Sequence, residues 1–170
     1  MEAIEQVLNP VETQLKAHFG EAIIEVHQSY DFAVFTVSKS KIKEILQFLK
    51  DAPGMEFGFL TTMCGLHFPD LQGSELCLMY QLHNMPRNER IRIKTYMSID
   101  DAVTPSITDL WPTANWMERE AYDFYGFVFA GHPNLKRILN MDEMNYFPMR
   151  KEYPLEDGTR NDKVDLFFGR

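Results

Sequence analysis

The sequence is poor in cysteine: Cys64 and Cys77 are the two cysteines among 170 residues, and they form no Cys-x-x-Cys pair. The chain therefore cannot by itself supply the four thiolates of an iron–sulfur cluster or a structural zinc site. Its first residues, 1–6, also lack the basic and apolar regions of a signal peptide. We expect a protein of the reducing cytosol without a disulfide.

Basic residues are in the minority, with 17 Lys and Arg against 25 Asp and Glu, a net charge of −8 and an isoelectric point near 5.1. This balance argues against electrostatic binding to nucleic acid or to anionic lipid, and it favours basic protein surfaces as partners. Long apolar runs are missing too, since no window approaches the ~20 apolar residues of a membrane span. We expect any association with a membrane to go through partner proteins.

Motifs for catalysis and cofactor binding are also missing. The sequence has no Gly-x-Gly-x-x-Gly, no P-loop and no Gly-x-Ser-x-Gly. Its five histidines are scattered without His-x-x-x-His or His-Glu spacing. We expect no catalytic residue, no metal site and no redox cofactor on this chain.

What is present is the composition of one globular domain, with 45% hydrophobic and 25% charged residues. The hydrophobic periodicity predicts helix, two strands, helix, three strands and then helices. Residues 1–139 are therefore predicted to form a single α+β domain whose largely antiparallel sheet is covered by helices on one face. The predicted segments are a helix over 9–20, strands over 22–27 and 32–37, a helix over 40–49, a strand over 55–63, and a hairpin of 76–83 with 90–97.

Residues 140–170 have a different character, with many charges, two prolines, two glycines and no sustained period. They are nevertheless too aromatic for a free disordered segment. The aromatic residues are Tyr146, Phe147, Tyr153, Phe167 and Phe168. We predict an extended C-terminal tail that lies on a surface, either on its own domain or on a partner protein.

The most informative stretch spans residues 111–139. Pro112 is suited to a first helical turn, and Gly126 is suited to end the helix after Tyr125. An inward stripe is predicted from spacings of three and four residues: Ala114, Met117, Ala121 and Phe124. Arg119 can pair with Asp123 one turn later, which leaves Glu118 and Glu120 without a local cation.

Large aromatic side chains, Trp116 and Tyr122, accompany these charges, and Trp, Tyr and Arg together are typical of an interface core. A solvated helix face is the alternative for the charges alone. An acid/base or metal cluster is disfavoured, because Glu118 and Glu120 point about 200° apart on a helix. Two alternatives of other classes remain: a free-standing metal-dependent enzyme using Glu120, Asp123 and His132, and a general protein-binding domain.

A long motif in this stretch resembles a known signature. Its residues are Trp111-Pro112, Ala114-Asn115-Trp116, Glu118-Arg119-Glu120, Asp123, Gly126, Phe129, Gly131-His132-Pro133, Leu135 and Arg137-Ile138-Leu139, flanked by 105–110 and 150–155. The pattern closely resembles the thirty-kilodalton subunit, or C subunit, of respiratory complex I, the proton-translocating NADH:quinone oxidoreductase. It covers the second half of the chain well, and the first half only in its order of helices and strands and in its apolar pattern.

The resemblance implies an accessory subunit of the hydrophilic arm, without a cofactor of its own. FMN and iron–sulfur clusters would sit on partner subunits, and this chain would pack on those that form the last cluster and the quinone cavity. It implies a peripheral position on the cytoplasmic side of the inner membrane. The predicted partner interface consists of Trp116, Glu118, Arg119, Glu120, Tyr122, Asp123, His132, Pro133, Arg137, Arg150, Lys151 and Tyr153, with the tail wrapping a partner.

Some positions depart from the family pattern. His67 stands where family members usually carry an Asp, Glu152 replaces a usual Asp, and residues 144–148 lack a Gly-rich form. The nearest alternative assembly is a related membrane-bound hydrogenase, a formate hydrogenlyase or an F420-dependent dehydrogenase, because these complexes reuse the same module.

Overall fold

The structure, a computed structural model, describes residues 2–153 and the side chains from Pro10 onward. Within that part of the chain lie three α-helices and seven β-strands. The helices are α1 (Glu2–Phe19), α2 (Ile42–Asp51) and α3 (Ala114–Tyr125). The strands are β1 (Ile23–Ser29), β2 (Phe32–Val37), β3 (Phe59–His67), β4 (Leu76–Asn84), β5 (Glu89–Met97), β6 (Val103–Pro105) and β7 (Val128–Ala130).

Five strands form the main sheet in the order β1-β2-β5-β4-β3. Three of the four pairings are antiparallel, and β2 pairs with β5 in parallel. Tight hairpins produce two antiparallel pairs, with left-handed backbone at Tyr30 in the first turn and Asn88 in the second. The strands β6 and β7 form a separate parallel pair. The predicted α+β domain with a largely antiparallel sheet is confirmed.

One face of the main sheet carries the hydrophobic core. The alternation of strand side chains places Leu78 and Tyr80 of β4 beside Ile93 of β5 on this face. Side chains from all three helices belong to the same buried cluster: Leu15 of α1, Ile42, Ile45, Leu46 and Leu49 of α2, and Ala114 and Ala121 of α3. The predicted placement of the helices on one face is therefore correct, because each helix presents an apolar stripe to the same side.

Three predicted boundaries are wrong. The first helix begins at Glu2, so Pro10 lies inside it and does not mark its start. Residues 39–41 form a short 3₁₀ turn before α2, and the Ser40 hydroxyl bonds Ser38 Oγ at 2.9 Å without capping the helix. The third strand runs over Phe59–His67, four residues later than predicted, because Met55 and Phe57 are buried as loop residues.

Residues 140–153, here called the return segment, pack back against the domain. The Met149 amide donates to the carbonyl of Phe124 at 3.1 Å, and Phe147 lies against Gly126. The described part of the predicted tail thus lies on its own domain. Residues 154–170 lie outside the described part of the chain, and contact of the tail with a partner stays a prediction.

Candidate protein interface

The helix α3 begins at Ala114, two residues after Pro112, and ends where the sequence predicts. Gly126 adopts a left-handed conformation with φ of 85°, and its amide donates to the carbonyl of Tyr122 at 2.9 Å. On the inward stripe Ala114 and Ala121 are buried, whereas Met117 and Phe124 are half-buried. The helix lies against β3, where a Cβ on Gly65 would lie 2.6 Å from the Tyr125 ring. A glycine at position 65 is thus what lets the helix approach the strand.

Glu118 is not an unpaired surface charge. Its side chain is fully buried, and its Oε1 accepts the amide hydrogen of Ile107 at 2.7 Å. Burial raises the pKa of this carboxyl, against the lowering effects of the Ile107 amide and the Ser106 hydroxyl. Glu118 therefore connects α3 to the loop after β6, and it offers no surface to another protein.

His132 holds the turn after β7 against the start of α3. The amide of Asn134 donates to Nδ1 at 3.0 Å, so the ring proton sits on Nε2, which donates to the carbonyl of Asn115 at 3.2 Å. Its Nε2 lies 4.0 Å from Glu118 Oε2, and both side chains are inaccessible to solvent. The Gly-His-Pro motif thus has a structural role within the chain.

Asp123 organises the segment that follows the turn. Its Oδ1 accepts from Arg137 at 2.7 Å, and its Oδ2 accepts the amides of Ile138, Leu139 and Asn140 at 3.1, 2.8 and 2.9 Å. Burial raises the pKa of this carboxyl, but the three amides and Arg137 outweigh it and hold the pKa well below its usual range.

The predicted pairing of Arg119 with Asp123 is wrong, because Asp123 is already satisfied by Arg137 and by these amides. Arg119 instead donates to the carbonyls of Lys136 and Arg137 at 3.2 and 3.0 Å. Its guanidinium lies 5.0 Å from the centre of the Trp116 ring, within cation–π range.

The return segment is fixed by contacts along its length. Arg137 donates to the carbonyls of Met144 and Tyr146, and Arg150 donates to the carbonyl of Tyr125 at 2.7 Å. The two guanidinium groups lie 5.3 and 4.7 Å from the centre of the Phe147 ring. Because these arginines bond within their own chain, they stabilise the segment on the domain.

His67 and Glu152, the two residues predicted to depart from the family pattern, lie close together in space. His67, at the end of β3, accepts the amide hydrogen of Lys151 at 2.9 Å through Nδ1. The same nitrogen lies 3.8 Å from a carboxylate oxygen of Glu152. His67 and Glu152 therefore belong to one contact between β3 and the return segment.

The predicted interface residues divide into an internal and an external set. The internal set is Glu118, Arg119, Asp123, His132, Arg137 and Arg150, whose polar groups bond within the chain. The external set keeps exposed surface: Trp116, Glu120, Pro133, Lys151 and Tyr153, with Tyr122 partly exposed. Trp116 is 62% exposed. The prediction that Glu118 and Asp123 dock on a partner is corrected, because neither side chain reaches the surface.

A pocket between α3 and β3 was not predicted from the sequence. Its cavity is about 360 Å³ and is lined by Met63, Cys64, Gly65, Met117, Glu120, Ala121, Phe124, Tyr125, Leu139 and Met149. Burial raises the pKa of the Cys64 thiol. Gly65 within a strand is the sequence signal that could have indicated a close approach at this point.

The part of the chain that the structure describes contains no candidate metal site and no candidate membrane-spanning helix. Among the side chains of residues 10–153 no group of three His, Cys, Asp or Glu could hold a metal ion, so Glu120, Asp123 and His132 do not converge on one. Among the helices of residues 2–153, none is long and apolar enough to cross a bilayer.

Comparison with known proteins decides the family. The family model described as "Respiratory-chain NADH dehydrogenase, 30 Kd subunit" matches residues 35–159, which include most of the sheet, α3 and the return segment. The chain belongs to this family. This member of the 30 kDa family is 41% identical to the NADH-quinone oxidoreductase C 2 subunit of Rhizobium etli (strain CIAT 652) over 150 residues, which are 88% of this chain and 78% of the relative.

Solved structures agree with the family assignment. A chain described as the trypsin-resistant fragment (1-134) of Nqo5 superposes on the 30 kDa family member with a TM-score of 0.63 at 28% identity, covering 77% of this chain and 98% of the other. A chain of the membrane-bound sulfane sulfur reductase, an archaeal respiratory membrane complex, gives a TM-score of 0.71 at 24% identity, covering 86% and 85%. The second likeness shows a shared fold. The family predicted from the motif over 111–139 is confirmed.

Proposed function

We propose that this chain is the thirty-kilodalton subunit of an NADH-quinone oxidoreductase. In that complex it is an accessory subunit that carries no cofactor itself. It supports the transfer of electrons from NADH through iron–sulfur clusters to quinone. The observation that carries the proposal is the family match over residues 35–159, together with relatives named as the C subunit of that oxidoreductase. FMN and the clusters would lie on partner subunits. The chain itself contributes a shaped surface and performs no chemical step.

The arrangement around α3 supports a docking role. Asp123, Arg137 and Arg150 fix the helix, the turn and the return segment to one another, so the exposed side chains between them have defined positions. An indole that is 62% exposed and stacked on Arg119 is a typical interface residue, because it contributes large contact area at low entropic cost. The partners would be the subunits that form the last iron–sulfur cluster and the quinone cavity. The chain would then be held peripherally, on the cytoplasmic side of the membrane, through those partners.

Deletion of the gene in its host, followed by complementation, tests this function. Membranes of the deletion strain should lose NADH:quinone reductase activity, and the wild-type gene should restore it. Complementation with Trp116→Ala should restore less activity than complementation with Ile24→Ala, a matched control that truncates an equally exposed side chain on β1. Full NADH:quinone activity in the deletion strain would refute the proposal, and loss of a hydrogen-oxidising activity instead would assign the chain to a related complex.

A further inference from the structure

The α3–β3 pocket has an unusual lining for a surface depression. Three of its side chains, Met63, Met117 and Met149, are methionines, which adapt their shape and are common at surfaces that accept a partner side chain. Phe124 and Ala121 add further apolar wall. A cavity of about 360 Å³ has room for one large apolar side chain and the groups beside it.

The rim of the pocket is open and apolar on the side of the return segment. Leu139 is 72% exposed and Met149 is 46% exposed, although both line the cavity. Side chains of this kind rarely stay uncovered together on a monomer's surface unless they mark a binding site. The apolar surface therefore continues from the cavity onto the outside of the chain.

Glu120 is the one charged residue among those that line the pocket. Glu120 is exposed, and its carboxylate has no hydrogen bond or ion pair with any residue that the structure describes. The other titratable groups that face the cavity are Cys64 and Tyr125, and burial raises the pKa of both, so they stay neutral near pH 7. The pocket is thus complementary to an apolar group with a cation next to it.

The surface around Glu120 extends further than a small ligand would cover. Trp116 lies one helical turn before Glu120 on the same face of α3 and is 62% exposed. The surface is therefore continuous from the cavity, past Leu139 and Glu120, to the indole of Trp116. A surface of this extent indicates that the pocket binds another protein.

We propose that the α3–β3 pocket receives a large apolar side chain of a neighbouring subunit of the respiratory complex, and that a Lys or Arg close to that side chain pairs with Glu120. The proposal rests on the proposed function and deepens it, because it names the part of the chain through which the protein docks. The apolar contact supplies affinity, and the ion pair fixes the register of the two subunits.

Site-specific photocrosslinking in the assembled complex tests the occupant. A photoreactive phenylalanine analogue replaces Leu139 in the full chain, expressed in a host that lacks the native gene, and the complex is then isolated from membranes. The matched control places the analogue at Ile24, which is 66% exposed on β1. The Leu139 position should crosslink to one other protein of the complex, at a large apolar residue within a few positions of a Lys or Arg, and the Ile24 position should not reach that peptide.

Charge reversal tests the cation. Glu120→Lys should lower the amount of this chain in the purified complex by roughly tenfold, because like charges at an interface are costly. Glu21→Lys, which changes another exposed glutamate outside the pocket, should assemble as the wild type does. Both variants should unfold at the wild-type temperature. Exchanging the Lys or Arg next to the crosslinked apolar residue of the partner for Glu should restore assembly of Glu120→Lys.

Three results would overturn the inference. One is a Leu139 crosslink that reaches only residues 154–170 of the same chain, which would make the chain's own C-terminus the occupant. Another is an intact complex in which Leu139 does not crosslink, and the third is wild-type assembly of Glu120→Lys. In all three cases the proposed function survives. Failure of the wild-type chain to be isolated with any respiratory subunit would instead refute the proposed function, and this inference with it.

Discussion

Glu118 and Asp123 lie five positions apart on α3 and are both fully buried, yet their pKa values move in opposite directions. Asp123 meets a guanidinium and three backbone amides, so its charged form is favoured. Glu118 meets one amide, and desolvation dominates, so its charged form is disfavoured. Two carboxylates of one helix therefore affect stability with opposite dependence on pH.

Replacing Asp123 by Asn should destabilise the chain most at pH values above the ordinary pKa of a carboxyl group. The folded pKa is depressed, so the stabilisation is fully present above about pH 4 and is lost as the pH falls through the folded value. Near pH 7, Asp123→Asn should lower the free energy of unfolding by about 3 kcal/mol, because it leaves buried Arg137 without its charged partner. Urea unfolding measured at neutral pH and near pH 3 should show this difference shrinking in acid, with exposed Asp142→Asn as control. A difference that is the same at both pH values would contradict the role given to Asp123.

Glu118 should show the reverse dependence. Its raised pKa means that the folded chain holds a proton that the unfolded chain has lost, so stability falls as the pH rises from about 4.3 through the folded pKa. Glu118→Gln keeps an acceptor for the Ile107 amide and should remove this fall. Glu118→Ala leaves that buried amide unsatisfied and should cost about 2–3 kcal/mol. The measurement is the free energy of unfolding of the two variants across that pH range. An alanine variant as stable as the glutamine variant would show that Glu118 does not hold the loop after β6.

At the scale of helices and strands, the sequence predicts an element correctly where buried residues repeat at a short, regular spacing. The alternation of Leu76, Leu78, Tyr80 and Leu82 predicts β4 correctly, because one face of this strand meets the core. The same reasoning fails for the run that contains Met55 and Phe57, since those side chains are buried from a loop. A short window cannot distinguish the two cases.

Long-range contacts explain what the sequence could not predict about the candidate interface. The motif identifies α3 and its turn, but an i,i+4 rule cannot indicate that Asp123 bonds Arg137, fourteen residues later. Nor can it indicate that Phe147 fills the space over Gly126. Trp116, Glu120 and the other predicted interface residues that stay exposed are still predicted to contact a partner protein. The pocket depends on three separate segments and so has no local signature.

Gly126 provides a test of the contact between α3 and the return segment. A Cβ at this position would lie 2.6 Å from Phe147 and 2.7 Å from Arg150, in addition to the strain of its left-handed backbone. Gly131 has nearly the same φ, 84° against 85°, with nothing within 4 Å of its Cβ position. Gly131→Ala should therefore cost about 1 kcal/mol, from the backbone alone, and Gly126→Ala should cost clearly more. Equal losses of unfolding free energy in the two variants would mean that the return segment is not held there.

At the scale of the whole molecule, the domain has an internal core and a second set of contacts that orders its surface. The core lies between the sheet and three helices on one face. Around α3, buried charges fix the turn and the return segment instead of facing a partner. Of the predicted interface residues, the ones that keep exposed surface are Trp116, Glu120, Pro133, Lys151 and Tyr153, with Tyr122 partly exposed. Such a surface fits a protein that is positioned by its neighbours in a complex.

The most direct measurement of the central claim is affinity purification of the tagged full chain from gently solubilised native membranes, with mass spectrometry of the proteins that accompany it. If the chain is the thirty-kilodalton subunit of an NADH-quinone oxidoreductase, it should be recovered with the cluster-bearing and quinone-site subunits and with NADH:quinone activity. Recovery with a nickel hydrogenase core, or of the chain alone in soluble form, would contradict that account.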